Sequence, residues 1–506
     1  MRALSLVPVA WLLAVFLARA QVSPTIVTTI PVLRLDARPI LHWKGGTGVL
    51  AITFADSLRL ESTTLRSRGL RDVAIVCLNA DGSIRWTNHI GGPADDAAAD
   101  VHVGTNFITC LLAAGGSTGA PSTLRVNNVT LATNGEYDVG LVGYTLAGRL
   151  EWFRVDGGPF PDVPTSMVVD EEQGIAVAAT YVRRTRFETK VLADTMGETS
   201  CALIQYTTRG GLQAASSTTA QSFGSAAAST TSMWTSGKEL HMLITTLGDI
   251  RWYSASMSSE TPLPTVVGHQ WSADAVRTIA SPSDCAPTSL VCAPLGNAVV
   301  AASFESLPCE ADVLPSLALR RHQGSDSELI QAYHSSTGSA TIYRAAASPL
   351  DVVVVGSFRG RLSAADGAVL DAGDETNLAG FLVSTRGLTS VVRGESAAEF
   401  TSAVFDGQHL YACAEVHGRG TLDGLPVGVA GSSSIVILRY DVAATSVRQD
   451  NEVPSERSID DGPWILWNMQ GQVVATGSGS RLPEGLAAGV YAIGAPFKQA
   501  RLLLMP

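Results

Sequence analysis

An all-β fold is what this sequence predicts, and three observations predict it. Its 48 glycines in 506 residues fall between short apolar runs, where glycine supplies the positive φ that tight hairpin turns need. The runs hold about eight β-branched, small or aromatic residues, as in "GVLAITFADS" from Gly48 and "GIAVAATYVR" from Gly174. They are too short for helices and read as strands buried on both faces. The runs also recur in a fixed order along the chain.

Composition narrows the class further. Hydrophobic content of 46% against 16% charged residues excludes a disordered chain. The formal charge of −11, with no Lys/Arg-rich stripe to offset it, excludes nucleic acid as a partner. At 506 residues the chain exceeds one ordinary core, although a repeat array can run this long as one body.

Residues 1–20 read as a signal peptide. Arg2 is a short positive start, an apolar run through Leu17 follows, and Ala18-Arg19-Ala20 fits the small-x-small cleavage pattern ahead of Gln21. No later stretch is long and apolar enough to span a bilayer as a helix. The expected address is the cell surface or the medium, reached through the periplasm.

Self-similarity carries most of the information. "DVAIVCLNADGSIRW" (72–86) and "DVGLVGYTLAGRLEW" (138–152) lie 66 residues apart. Both open on Asp-Val, alternate apolar residues, turn at glycine and end on tryptophan. Weaker copies start at Ser200, Leu240, Ser327, Leu378 and Ser433. A glycine- or polar-bounded strand precedes most of them, starting at Gly48, Thr105, Gly174, Gly296, Asp351 and His409. Three or four strands per unit, repeated six or seven times over 21–440, is what a β-propeller requires, because each sheet leaves a face that only its neighbours in a ring can cover. An open solenoid and tandem sandwiches are the rival arrangements.

The order strand, loop, Asp-led hairpin with Gly turn, Trp, Gly-Gly, acidic residue, strand resembles the SBBP-type bacterial propeller repeat. The copies at 72–92 and 138–158 carry the resemblance, and it extends over roughly 45–440. It implies a propeller and no particular activity.

Residues 441–462 are polar and poor in large apolar side chains, as a linker should be. The module at 463–506 reads as a small β-sandwich-like domain. It has a hairpin turning at Gln470-Gly471, a strand entered through Gly489, and a final edge strand from Lys498. Trp467-Asn468-Met469-Gln470-Gly471-Gln472, the Leu-x-x-Gly-Val-Tyr strand at 486–491 and the basic end at Lys498 and Arg501 resemble the C-terminal sorting domain of type IX secretion cargo. The resemblance implies Gly489, Val490, Tyr491 and Lys498 as the sorting motif and the type IX machinery as a partner.

Chemistry is sparse. Cys77, Cys110, Cys201 and Cys413 sit inside apolar runs as small buried hydrophobes, while Cys285, Cys292 and Cys309 are close enough for one disulfide. Gly115-Gly116-Ser117-Thr118-Gly119 matches a hydrolase nucleophile motif but lacks the helix it needs, so it reads as a loop. Gly418–Gly424 lies between β-runs and misses the spacing of a dinucleotide loop. No catalytic or cofactor-binding set emerges, and His409 and His417 read as surface residues. Asp95, Asp162, Asp274 and Glu399 each precede an innermost strand. They are candidates either for a calcium site at the axis or for capping their own turns. Trp86, Trp152 and Trp252 are read as packing between blades rather than as a sugar-stacking surface.

The expectation is an exported, surface-attached or secreted propeller that acts by binding a surface protein or glycan, in adhesion or as an envelope scaffold. The alternative is a secreted hydrolase of glycans or peptides with its site at the axis.

Overall fold

In a computed structural model the described residues are 23–441, with breaks at 33–34, 62, 117–120, 195–198, 222–226, 237–238, 253–254, 271–275, 281–288, 297, 306–315, 324–325, 335–338 and 365–366, together with the strands between 463 and 505. The chain divides into two units, Met1–Ser446 and Val447–Pro506. No helix occurs among the described residues, so the all-β expectation holds.

Seven strands of the first unit are innermost: Ile40–Lys44, Asp95–Val103, Asp162–Asp170, Ala227–Ser236, Ser289–Leu295, Ala340–Ala347 and Ala397–Phe405. Each packs against the next and the last packs against the first, so among the described residues seven blades close a ring. Each inner strand opens an antiparallel meander toward the rim. The second blade runs Asp95–Val103, Phe107–Gly116, Asp138–Thr145, Leu150–Asp156. The seventh is completed from the other end of the chain: Thr25–Val32 pairs antiparallel with Leu425–Tyr440 and becomes its outermost strand. That pairing fastens the ring without a covalent bond.

The period-two pattern explains why the ring forms. Along the strand Thr63–Leu78, Val73, Ile75 and Cys77 enter a core shared with the second blade, while Ala74, Val76 and Leu78 enter one shared with the seventh. The buried apolar residues fall into seven clusters, one for each blade–blade interface. A sheet with both faces apolar is unstable alone, and neighbours on both sides bury it.

The Asp-Val and Gly-Gly elements have one local job. The Asp138 carboxylate accepts the Asn134 N–H at 2.5 Å, and Asp72 accepts Arg68 N–H at 3.1 Å. Gly91 and Gly157 lie directly over those carboxylates, where a Cβ would overlap them. The turn glycines Gly148 and Gly210 have φ of +83° and +79°. Trp86 covers Gly148 and Trp152 covers Gly210, each ring 2.7 Å from where a Cβ would sit. Trp86 also donates to the Leu146 carbonyl of the next blade at 3.0 Å. Packing between blades is therefore the role of these two residues. Trp252 is fully buried between the third and fourth blades, but it ends a second strand, Glu239–Trp252, and so is not their equivalent. The copy at 327–343 is likewise no hairpin, since it spans the outer strand of the fifth blade and the inner strand of the sixth.

In the second unit, Val473–Ser478, Pro463–Asn468, Gly489–Gly494 and Arg501–Met505 form one antiparallel sheet in that order. Arg501–Met505 lies at its edge, as expected. Gln470-Gly471 and Lys498, like residues 1–20, lie outside the described residues.

Candidate functional site

The strands around the axis have one edge with no strand partner, so some of their N–H groups must be satisfied by side chains. Five of them carry a register shift at corresponding depth, between Ala98 and Asp100, Pro164 and Ser166, Thr230 and Ser232, Ile342 and Arg344, and Phe400 and Ser402. A β-bulge re-aims the residue that follows it. The result is a tier of polar side chains: Asp100, Ser166, Ser232, Arg344 and Ser402. Two of them cap the adjacent blade, with Asp100 Oδ2 accepting Met167 N–H at 3.0 Å and Ser402 Oγ accepting Leu41 N–H at 2.9 Å.

Two charges in this tier meet across the axis. Arg344 of the sixth blade donates from Nη1 to Asp100 Oδ1 of the second at 2.9 Å, and from Nη2 to the Ala99 carbonyl at 2.8 Å. Val101 N–H adds a further bond to Asp100 Oδ1 at 3.0 Å. His42 and His102 lie alongside, their rings tilted by 50° with centroids 4.3 Å apart, and Val103 N–H donates to His42 Nδ1 at 3.2 Å. Burial holds both imidazoles below the usual range, His102 at about 4. The site is thus neutral overall: one compensated ion pair and two uncharged rings.

These strands enclose a cavity of ≈ 520 Å³. Ser166, Ser232 and Trp234 are among the residues that line it, but Ser166 Oγ, Ser232 Oγ and Trp234 Nε1 are themselves buried from the cavity space, without a hydrogen-bond partner, and the Trp234 ring packs in the core between the fourth and fifth blades. Ser166 and Trp234 are only 8% and 7% exposed.

The carboxylates singled out in the sequence do not form this site. Asp95 is held by Arg71 through two bonds of 2.6 Å and by the Tyr137 hydroxyl at 2.6 Å. Asp162 caps Gly158 N–H at 2.5 Å. Its counterpart 66 residues earlier is Asp96, which caps Gly92 and Gly115 N–H at 2.7 Å each, and not Asp95. Glu399 takes Arg38 Nε at 3.2 Å, whose guanidinium lies 3.6 Å over the Tyr343 ring. Asp274 lies outside the described residues. The three described carboxylates therefore occupy separate sites with separate partners, and among the described residues no three His, Cys, Asp or Glu side chains gather as metal ligands. Turn-capping is the observed role of Asp162. Aligning the copies on Gly91-Gly92 and Gly157-Gly158 would have placed Asp100 opposite Ser166. Nothing in the sequence marks Arg344, whose copy is too degraded.

Cys77, Cys110, Cys201 and Cys413 are free and buried, as expected. Cys292 is also a free buried thiol, so it forms no disulfide here; Cys285 and Cys309 lie outside the described residues. Gly115 and Gly116 end a strand, and 117–120 lie outside the described residues. His409 is a partly exposed residue beside Asp406 and Asp441. His417 is more than a surface residue. Ser433 Oγ and His417 Nδ1 share a 2.9 Å bond, and His417 Nε2 lies 3.0 Å from Glu415 Oε1. This Ser–His–Glu chain sits on the second and third strands of the seventh blade and not on the strands around the axis.

No protein-family model matches the chain, and no curated protein matches it. Among solved structures it is similar to a subtype N10 neuraminidase-like protein of A/little yellow-shouldered bat/Guatemala/060/2010, at 9% identity and a TM-score of 0.31, over 69% of this chain and 98% of that one. It is similar to a Trypanosoma rangeli sialidase in complex with sialic acid, at 9% identity and 0.29, over 82% and 58%. It is also similar to the rhamnogalacturonan lyase YesW, at 11% identity and 0.26, over 69% and 77%.

Proposed function

We propose that this chain is an exported propeller that acts by binding, with its ligand held in the central cavity and residues 463–506 directing it outward through a type IX secretion route. The observation behind the binding reading is the ≈ 520 Å³ cavity among the inner strands, lined by residues of several blades that include Asp100, His42, His102 and Arg344. A thermal-shift screen of small molecules tests it. Stabilising compounds should lose their effect in Arg344→Ala, which changes a partly exposed side chain lining the cavity, and retention of every hit in that variant removes the cavity as the site. For export, full-length protein is compared by fractionation with a form lacking 463–506. Periplasmic retention of the shortened form supports sorting, and equal export of both refutes it.

A hydrolytic reading has one observation in its favour, the Ser433–His417–Glu415 chain, which has the nucleophile–base–acid connectivity that activates a serine. Ser433 is 5% exposed, so attack would require an opening of the hairpin above it. Labelling of Ser433 by a fluorophosphonate probe, lost in His417→Ala, would establish this reading; an unlabelled serine would leave only the binding one.

A further inference from the structure

We infer that the ligand of the central cavity is a small organic carboxylate held by Arg344 and His42, and that its binding draws a proton from solvent onto His102. The inference rests on the cavity being a binding site and adds the chemical class of what it holds.

The accessible polar groups decide the class. Arg344 lines the cavity and its side chain is 31% exposed. His42 and His102 line it too and are half-buried. Asp100, the carboxylate on the wall, is already filled: Oδ1 accepts from Arg344 and Val101 N–H, and Oδ2 from Met167 N–H. Donors are left over. The Arg344 guanidinium has more N–H groups than its bonds to Asp100 and the Ala99 carbonyl use. Val103 N–H takes the Nδ1 lone pair of His42, so the neutral ring carries its proton on Nε2. That Nε2 has no hydrogen-bond partner among the described residues and is not enclosed. The Arg344 charge is felt at His42, so the two donors share one part of the cavity. A carboxylate offers acceptors only, and its two oxygens suit a guanidinium and a second N–H.

An anion needs more positive charge than a compensated ion pair supplies, and His102 is placed to provide it. Its ring centroid lies 4.3 Å from that of His42. Neither of its nitrogens has a hydrogen bond among the described residues, so it can take a proton without breaking one. Burial and then the Lys44 charge hold it at about 4, against the opposing pull of Glu171. A carboxylate arriving beside it favours the charged ring. His42 stays neutral: burial, His102, Lys44 and Arg344 all lower it, only Asp100 opposes them, and a proton on Nδ1 would cost the Val103 bond. The net charge of −11 acts from a distance and is screened over about 8 Å at physiological ionic strength. The rest of the wall suits an apolar body, with Pro294, Ala345, Val404 and Phe405 half-buried on it. The ≈ 520 Å³ volume lies within the range of small-ligand cavities.

The test is calorimetric titration of the full mature chain with acetate, hexanoate, benzoate and phenylacetate, and with the amide of each. At least one carboxylate should bind about tenfold or more tighter than its amide. Its affinity should rise as pH falls from about 8 toward about 5, by up to about tenfold per unit, as binding with proton uptake requires. Heats in two buffers of different ionisation enthalpy should differ by the uptake of up to about one proton. His102→Gln should remove that difference and flatten the pH dependence. Arg344→Ala should abolish binding, and His42→Phe should weaken it about tenfold, which serves should the arginine variant fail to fold. An amide bound as tightly as its carboxylate and lost in Arg344→Ala overturns the carboxylate class and keeps the cavity. A carboxylate bound with the same heat in both buffers overturns the role of His102. A carboxylate bound equally by wild type, Arg344→Ala and His42→Phe places the site elsewhere and overturns the cavity reading itself. Failure of every probe, with thermal-shift hits that still vanish in Arg344→Ala, overturns the carboxylate class alone; failure of the probes and of the screen overturns both.

Discussion

Arg344 and Asp100, 244 residues apart in sequence, join the sixth and second blades by a 2.9 Å hydrogen-bonded ion pair across the propeller axis. The Asp100 side chain is 12% exposed and that of Arg344 31%. Removing either partner leaves the other poorly solvated, and the carboxylate additionally caps two backbone N–H groups. Asp100→Ala is expected to cost about 2–4 kcal/mol and Arg344→Ala about 1–2 kcal/mol. Urea unfolding of both single variants and the double variant checks this. A double variant as unstable as the sum of the singles would show that the pair is not coupled.

The buried capping carboxylates make stability depend on pH. Burial raises Asp162 to about 8, Asp96 to about 7 and Asp138 to about 6, against about 3.9 for an unfolded aspartate. The native state holds protons that the unfolded chain has released. The stability these groups contribute is therefore complete below about pH 4 and is lost as pH rises through the folded values. Arg71 holds Asp95 low, and hydrogen bonds from Lys44 and Thr105 hold Glu171 down at about 2. Those two contribute above the ordinary carboxylate range and lose their contribution as pH falls. The melting temperature should peak near about pH 5 and decline toward about pH 8. Asp162→Asn should flatten the upper part of that decline, and a profile parallel to wild type would refute the assignment.

Gly148 joins backbone and packing at one point. Its φ of +83° disfavours any side chain, and the Trp86 ring occupies the place a Cβ would take. Gly148→Ala should cost about 2–4 kcal/mol, combining the left-handed strain with overpacking. Gly407 shares the positive φ at +93° but has nothing within 4 Å of a Cβ. Gly407→Ala should therefore cost only about 1 kcal/mol. Chemical denaturation of the two variants separates the terms, and equal losses would show that the tryptophan contact is unimportant.

Ring closure depends on Thr25–Val32. Without it, Leu425–Tyr440 becomes a bare edge and the core between the seventh and first blades loses Ile30 and Val32. A chain beginning after residue 35 should aggregate or lose cooperative melting. Size-exclusion chromatography and calorimetry check this, and a monomer with an unchanged transition would show that the strand is dispensable.

Much of the scaffold was legible because its signals are local. Six of the seven second strands, from Gly48 to His409, were found where they lie, since an eight-residue apolar run between turns reports burial on both faces without reference to anything distant; the fourth blade's, Glu239–Trp252, was not. The Asp-Val hairpins at 72 and 138 were legible for the same reason. The copies at 240 and 327 misled because an apolar alternation followed by a polar turn and an aromatic residue looks alike in any strand of a blade.

The site was less legible. Asp95 and Glu399 were grouped with Asp162 by their nearness to an inner strand, yet they occupy three different registers, and one residue of slip sends a side chain to another face. Sequence alone determined that this chain is built of mutually covering sheets, because alternation and turn chemistry are properties of neighbouring residues. Only the closed ring decided which polar side chains share the axis. That depends on a bulge in each of five inner strands and on residues up to 244 positions apart, and no local preference encodes either.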